Sequence, residues 1–179
     1  MSLADLFGPL DELLQRSGVR YAVIGAYAVA AWGTIRATRD LDLLIETKDI
    51  DLLRAALSQA GFDFEYRPGD PDDPIQCVLR LHLISEGGPQ EIDVLAGIKG
   101  SPPGITDRVA VVELSRLKLR VAAPEDVIVL KLLAGSLQDI EDARAILRTQ
   151  GTLISRHLLL QLCPAHLQGT LQSLLQEFL

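Results

Sequence analysis

Two aspartates lie two residues apart in an otherwise apolar segment, Asp40-Leu41-Asp42-Leu43, which continues to Glu46. In a β-strand, residues i and i+2 point to the same face, so Asp40 and Asp42 would lie side by side. Two carboxylates that close repel each other unless a proton or a cation lies between them. Hard cations such as Mg²⁺ prefer carboxylate oxygens. The segment therefore predicts a strand with a metal-binding acid pair, and a solvated strand face is the alternative interpretation.

A third acid would complete a site of the kind that binds two metal ions about 3.5–4 Å apart for displacement at phosphorus. Asp93 lies in the predicted strand 91–98 and is the preferred candidate. Glu91 would share its face of that strand, and Asp72 lies in a loop rich in proline, glycine and aspartate. Either of these two acids remains an alternative third ligand.

A glycine precedes the acid pair at the point where a strand gives way to a helix. Residues 20–25 read as a short β-branched strand that ends at Gly25, and a helical segment follows up to Gly33. Backbone N–H groups at a helix N-terminus bind anions, and a residue without Cβ allows phosphate to approach closely. Gly25 is thus a candidate phosphate cradle, although an ordinary turn would also favour glycine.

The rest of the chain alternates strands with helices and then becomes helical. Apolar spacing predicts helices at 3–15 and 47–61, and a helical remainder that begins at Pro124. Further strands are predicted at 75–84, 91–98, 109–114 and 117–122, with a turn at 85–90. This order predicts an α+β fold with a mixed sheet flanked by helices. We expect a core at 1–122 and a helical C-terminal subdomain at 123–179 packed on it.

Composition narrows the functional classes. The 179 residues carry a net charge of −7 and only 4% aromatic residues, which disfavours generic binding to nucleic acid or stacking of exposed bases. Cys77 and Cys163 show no zinc or disulfide spacing. No leader pattern is seen, and the longest uncharged stretch, residues 21–35, is shorter than the roughly 20 residues of a spanning helix. We expect a cytoplasmic protein with no membrane partner.

The motif as a whole resembles the signature of the polymerase-β-like nucleotidyltransferase superfamily. It reads Ile24-Gly25-Ala26, thirteen residues, then Asp40-Leu41-Asp42. The form RATRDLD looks like the small bacterial AbiEii-type proteins. A later segment, 123–147, is similar to the helical segment of that family, with Lys131 ahead of Asp139 and Asp142. The resemblance covers about residues 20–147.

The resemblance implies transfer of a nucleoside monophosphate from an NTP to a hydroxyl acceptor, with Mg²⁺ or Mn²⁺ as cofactor. It implies that Asp40, Asp42 and Asp93 are the catalytic metal ligands. It also implies a set of nucleotide-binding residues, namely Gly25, Ala26, Arg36, Thr38 and Lys131. Arg36 could instead form a salt bridge with the acids, and Lys131 could be a lysine whose stem packs while its amine reaches water.

Two positions depart from the family pattern. Ala26 replaces the usual glycine or serine, and Gln138 stands where an arginine is often found. The Ala26 departure and the leucine-rich C-terminal end motivate an alternative function, a weakly active or inactive binding protein in a toxin–antitoxin pair. The acceptor could be a tRNA, a protein hydroxyl group or a small molecule. The chain could also assemble with a partner protein or as a homodimer.

The remaining polar residues and the leucine-rich end favour structural roles. Asp139 and Asp142 are expected to cap a helix or form salt bridges. Three scattered histidines show no ligand spacing: His82, His157 and His166. The final segment, with Leu171, Leu174 and Leu175 on one helical face, is expected to pack on its own domain.

Overall fold

Helices and strands alternate up to residue 59, five strands follow, and the last third of the chain is helical. The computed structural model describes residues 3–34, 40–85, 88–114 and 117–178. The strands are β1 Tyr21–Ile24, β2 Leu41–Ile45, β3 Phe64–Pro68, β4 Ile75–Ser85, β5 Gly88–Ile98, β6 Val109–Leu114 and β7 Leu117–Ala122. The helices are α1 Leu3–Ser17, α2 Gly25–Trp32, α3 Ile50–Gln59, α4 Pro124–Ala134, α5 Leu137–Gln150, α6 Arg156–Leu162 and α7 Gln168–Phe178.

The strands form one seven-stranded mixed sheet in the order β3-β4-β5-β2-β1-β7-β6. Strand β2 is parallel to β5 and β1 is parallel to β7, whereas the other neighbours are antiparallel. The central place of β2 between β5 and β1 brings residues from three distant parts of the sequence together. The predicted mixed sheet with flanking helices and a helical C-terminal part is confirmed.

Strand β2 buries its leucine and isoleucine side chains, and Asp42 is its one residue that is not fully buried. Leu41, Leu43 and Ile45 alternate along it and are at most 2% exposed. Asp42 points to the opposite face, because side chains alternate along a strand. The apolar residues around Asp42 thus belong to the core, and they fix the direction of its carboxylate.

An ion pair and a backbone hydrogen bond fix the position of helix α4. Its first turn carries two acids that are both buried, Glu125 at 7% and Asp126 at 0% exposure. Asp126 accepts two hydrogen bonds from Arg108, at 2.7 and 2.9 Å. Glu125 accepts the backbone N–H of Ser155 at 2.8 Å. These bonds tie α4 to the start of β6 and to the start of α6.

The expected packing of the leucine-rich C-terminus is confirmed, since Leu171, Leu174 and Leu175 are buried in the main core. Cys77 and Cys163 are buried free thiols. None of the described helices combines the length and apolar character that crossing a bilayer requires. The division at residue 122 stays a prediction.

Candidate active site

In the structure the two acids that lie side by side are Asp42 and Asp93, and this acid pair comes from two neighbouring parallel strands. Asp42 on β2 lies in register with Asp93 on β5, so both side chains leave the same face of the sheet. Asp40 lies just before β2 and is exposed. Both Asp93 and Asp40 add to the electrostatic potential felt by the Asp42 carboxylate. The structure therefore places the three predicted acids around one end of β2.

The negative charge of Asp42 lacks a compensating partner within the described part of the chain. Burial raises the pKa of its carboxyl group to about 6, and repulsion from Asp93 and Asp40 adds to this rise. Lys131 and Arg80 act in the opposite direction but do not cancel it. Among the side chains that the structure describes, none forms a hydrogen bond or ion pair with Asp42. A half-buried carboxylate with an uncompensated charge is a candidate cation ligand.

Gly25 makes room for that carboxylate. It is the residue after Ile24, which pairs with Asp42 in the antiparallel β1–β2 ladder, and it begins helix α2. Its φ of +62° lies in the left-handed region, and a Cβ at this position would lie 1.9 Å from Asp42 Oδ2. Both the backbone conformation and the close approach therefore require glycine. Ala26, the next residue, is buried at 8% exposure.

Gly25 and Asp42 open into one cavity of about 290 Å³ between the sheet and helix α4. Its walls are largely apolar, and the charged residues that line it are Asp42, Lys99, Lys131 and Asp139. A volume of this size is at the lower end of the roughly 300–1,000 Å³ of small-molecule sites. The start of α2, the Asp42 carboxylate and a lysine of α4 thus face one small-molecule cavity.

Lys131 is fixed by two acids of the next helix. Its Nζ lies 2.9 Å from Asp139 Oδ1 and 2.9 Å from Asp142 Oδ2, and its side chain is 12% exposed. Asp139 also completes a capping box with Ser136 at the start of α5. Burial acts to raise the pKa of Asp139, but hydrogen bonds from Ser136 and Lys131 outweigh it and lower that pKa. The structural interpretation of Asp139 and Asp142 is confirmed, whereas phosphate binding by Lys131 stays a prediction.

Asp93 has a partner that sequence reasoning missed. Arg80 on β4 lies opposite Asp93 in the β4–β5 ladder and donates to both carboxylate oxygens, from Nε at 2.7 Å and from Nη2 at 2.6 Å. Glu91, the alternative third ligand, lies 3.2 Å from Arg80 Nε. The pairing of the two long strands could have revealed Arg80, if the turn between them had been placed correctly.

The three predicted acids have the ligand atoms that a divalent cation prefers, but they are not arranged around one point. Carboxylates are the ligands that Mg²⁺ prefers, and Asp42 lacks a compensating partner among the described side chains. However, no group of three or more His, Cys, Asp or Glu within the described ranges is arranged to hold a metal ion. Arg80 occupies the ligand atoms of Asp93. Arg36 and Thr38, two of the predicted nucleotide-binding residues, lie outside the described residues.

Three solved structures share the fold of this chain. The antibiotic-resistance factor ANT(2'')-Ia in solution superposes with a TM-score of 0.60 at 13% identity, covering 97% of this chain and 95% of that one. A crystal structure of ANT(2'')-Ia with adenylyl-2''-tobramycin gives 0.54 at 15% identity, covering 89% and 93%. A putative nucleotidyltransferase from Thermotoga maritima gives 0.50 at 17% identity, covering 80% and 93%. These likenesses establish the fold.

No curated protein matches this sequence. A family model does match, and it covers residues 1–152, which include the whole sheet, the acid pair and helices α1 to α5. The match and the fold agree with the polymerase-β-like resemblance, while the AbiEii subtype stays a prediction. The chain belongs to the family described as "Nucleotidyltransferase of unknown function (DUF6036)".

Proposed function

We propose that this protein transfers a nucleoside monophosphate from an NTP to a hydroxyl group of an acceptor. One observation carries the proposal: Asp42 and Asp93 lie in register on parallel strands, and the glycine that begins α2 lies against Asp42 at the mouth of the same cavity. Paired carboxylates beside a helix N-terminus suit a cation and a phosphate chain at once.

Each residue of the site has a distinct role in this proposal. Asp40, Asp42 and Asp93 would hold Mg²⁺ or Mn²⁺, which when bound would offset the negative charge of the phosphates during transfer. The backbone N–H groups of Gly25 and Ala26 would bind phosphate oxygens.

Three cationic or polar side chains complete the proposed nucleotide site. Lys131 lies at the cavity wall, where its charge would offset that of the departing pyrophosphate. Arg36 and Thr38 would contribute to the same nucleotide site from the segment between α2 and β2.

The transfer balances as a displacement at the α-phosphorus. The acceptor oxygen forms a bond to this phosphorus, and the bond to the oxygen that bridges the α- and β-phosphates breaks. Pyrophosphate leaves with that electron pair. The proton of the acceptor hydroxyl passes to the Asp93 carboxylate, which must first be free of Arg80.

The experiment is a label-transfer assay with each of the four α-³²P-labelled NTPs, Mg²⁺ and a cell extract, followed by identification of the labelled species. Asp42→Asn should reduce labelling by more than about 100-fold, because it removes a cation ligand. Asp51→Asn is the matched control, since Asp51 is 87% exposed on α3 and pairs only with the neighbouring Arg54 among the described residues. Equal labelling by wild type and Asp42→Asn would contradict the proposal.

A second function, a nucleotide-binding protein with little catalysis in a toxin–antitoxin pair, has two observations in its favour. Ala26 supplies no hydroxyl group to a phosphate, and Arg80 holds both oxygens of Asp93. Two experiments together distinguish the two functions: calorimetric titration with an NTP and Mg²⁺, and the labelling assay. Binding without any labelled product, with every NTP, would favour this second function.

A further inference from the structure

Arg80 lies at the centre of a row of charged side chains on one face of the sheet. In the β3–β4–β5–β2 ladders, Glu65, Arg80, Asp93 and Asp42 follow one another in register. Arg80 is 25% exposed and Asp93 15%, so their contact is largely shielded from water. The two bonds, at 2.6 and 2.7 Å, join both carboxylate oxygens to the planar guanidinium group. Bidentate pairs of this kind are among the strongest side-chain hydrogen bonds.

This contact competes with the proposed use of Asp93. A cation needs the same oxygens that Arg80 binds, and two positive charges cannot share them at low cost. The incomplete ligand set of the described site thus has a physical cause. Asp93 is held as the partner of an arginine in this structure, although its register with Asp42 suits a shared cation.

A second carboxylate is already within reach of Arg80. Glu91 lies two residues before Asp93 on β5, on the same face, and its Oε2 is 3.2 Å from Arg80 Nε. The other oxygen, Oε1, lies 3.4 Å from His82 Nδ1, which orients the Glu91 carboxylate beside Arg80. A short side-chain rotation would exchange one carboxylate partner of Arg80 for the other, with its charge still compensated.

We infer that Arg80 is a positioning residue that moves from Asp93 to Glu91 when a divalent cation binds the Asp42–Asp93 pair. The inference rests on the proposed function and adds a role for Glu91, which receives the arginine and is not a cation ligand. Arg80 stabilises the acid pair while the site is empty, and Glu91 lowers the cost of releasing Asp93.

Two substitutions should change cation affinity in opposite directions. The dissociation constant of Mn²⁺, measured by electron paramagnetic resonance with and without a non-hydrolysable NTP analogue, is the readout. Arg80→Gln should tighten Mn²⁺ binding about tenfold, because no charge-assisted bond then has to be broken. Glu91→Gln should weaken it, because Arg80 then stays on Asp93. Arg80→Lys, which keeps the charge and loses the bidentate geometry, should tighten binding less than Arg80→Gln.

The double variant separates this exchange from a general effect of charge. With Arg80 absent, Glu91 has no arginine to receive, so Arg80→Gln/Glu91→Gln should bind Mn²⁺ as tightly as Arg80→Gln alone. A purely electrostatic effect of Glu91 would persist in that background and would overturn the inference. Arg67→Gln is the matched control, because Arg67 lies on the same side of the neighbouring strand β3 and pairs with Glu65 at 2.7 Å.

Weaker Mn²⁺ binding by Arg80→Gln, or tightening no greater than that of Arg67→Gln, would overturn the inference. Circular dichroism of each variant verifies folding, and Arg80→Lys decides the question if Arg80→Gln does not fold. Failure of the exchange and failure of the proposed transferase function give different experimental results. The exchange concerns Mn²⁺ affinity alone, so tighter binding by Arg80→Gln would support it even if the wild-type protein gave no label transfer with any NTP, a result that would remove only the transferase proposal.

Discussion

The acidic side chains on the two sides of the cavity differ in how their negative charge is compensated. On the α4–α5 side, Lys131 lies 2.9 Å from both Asp139 and Asp142 and is almost completely buried. On the sheet side, Asp42 has no such partner among the described side chains, and its pKa is raised to about 6 by burial, Asp93 and Asp40. Compensated charges hold two helices together, whereas an uncompensated one is suited to bind a ligand.

The largest effect should come from removing the compensating charge on the helical side. Lys131→Met leaves Asp139 and Asp142 without their common cation, and a buried pair broken in this way costs about 3–5 kcal/mol. Urea unfolding at neutral pH measures the loss. Lys118→Met is the control, since Lys118 is exposed on β7 and should change stability by less than about 0.5 kcal/mol. A loss below about 1 kcal/mol for Lys131→Met would mean that this group of charges does not hold α4 and α5 together.

A smaller loss should follow from filling the space beside Asp42. In Gly25→Ala, the added Cβ meets Asp42 Oδ2 at 1.9 Å and the backbone keeps a φ of +62°. The left-handed conformation costs about 1–2 kcal/mol and the displaced carboxylate adds a similar amount, so we expect a loss of about 2–4 kcal/mol. Thermal unfolding measures it against Gly8→Ala, whose Cβ would meet nothing within 4 Å. Equal stability of the two variants would show that Asp42 has room to move.

The smallest effect should have the opposite sign. The pKa of Asp42 is about 6 in the folded protein, above the ordinary value of 3.8 for an aspartate, so the folded state binds the proton more tightly than the unfolded state does. Its favourable contribution is complete below about pH 4 and is lost as the pH rises through about 6. Asp42→Asn should therefore increase metal-free stability by about 1–3 kcal/mol near pH 8 and change it little near pH 4.

The measurement for Asp42→Asn is urea unfolding at both pH values with a chelator present. Asp51→Asn, on the exposed face of α3, should show no pH-dependent gain. Strong destabilisation by Asp42→Asn near pH 8 would mean that Asp42 is a paired structural acid, and the contrast between the two groups of acids would be lost.

Local sequence patterns predicted most of the fold. The strands at 109–114 and 117–122 and the helix that begins at Pro124 agree with the observed elements. Strand β3, Phe64–Pro68, was not predicted, although Phe62, Phe64 and Tyr66 alternate in the way that would have revealed it. The strand is short, lies at the edge of the sheet and ends at Pro68, so its local signal is weak.

Strand pairing explains why Arg80 was missed. The predicted turn at 85–90 ends the two strands early, at residues 84 and 91, and such ends would place His82 opposite Asp93. In the structure β4 runs to Ser85 and β5 begins at Gly88, so Arg80 pairs with Asp93 and His82 with Glu91. A shift of two residues keeps every side chain on its face but changes each partner. Hydrophobic alternation therefore could not decide between the two registers.

The sequence by itself determined which residue types the site contains and that Asp42 lies on a largely buried strand, because strand periodicity and the demand for glycine are local properties. It also placed Asp40 on that strand, whereas β2 begins at Leu41 and Asp40 lies just before it. Only the tertiary structure decided that β5 lies beside β2, which brings Asp93 into register with Asp42 across about fifty residues of chain. It also decided that Lys131 is neutralised by α5 and that Arg80 binds Asp93. Those contacts depend on strand order and helix packing, which no short segment specifies.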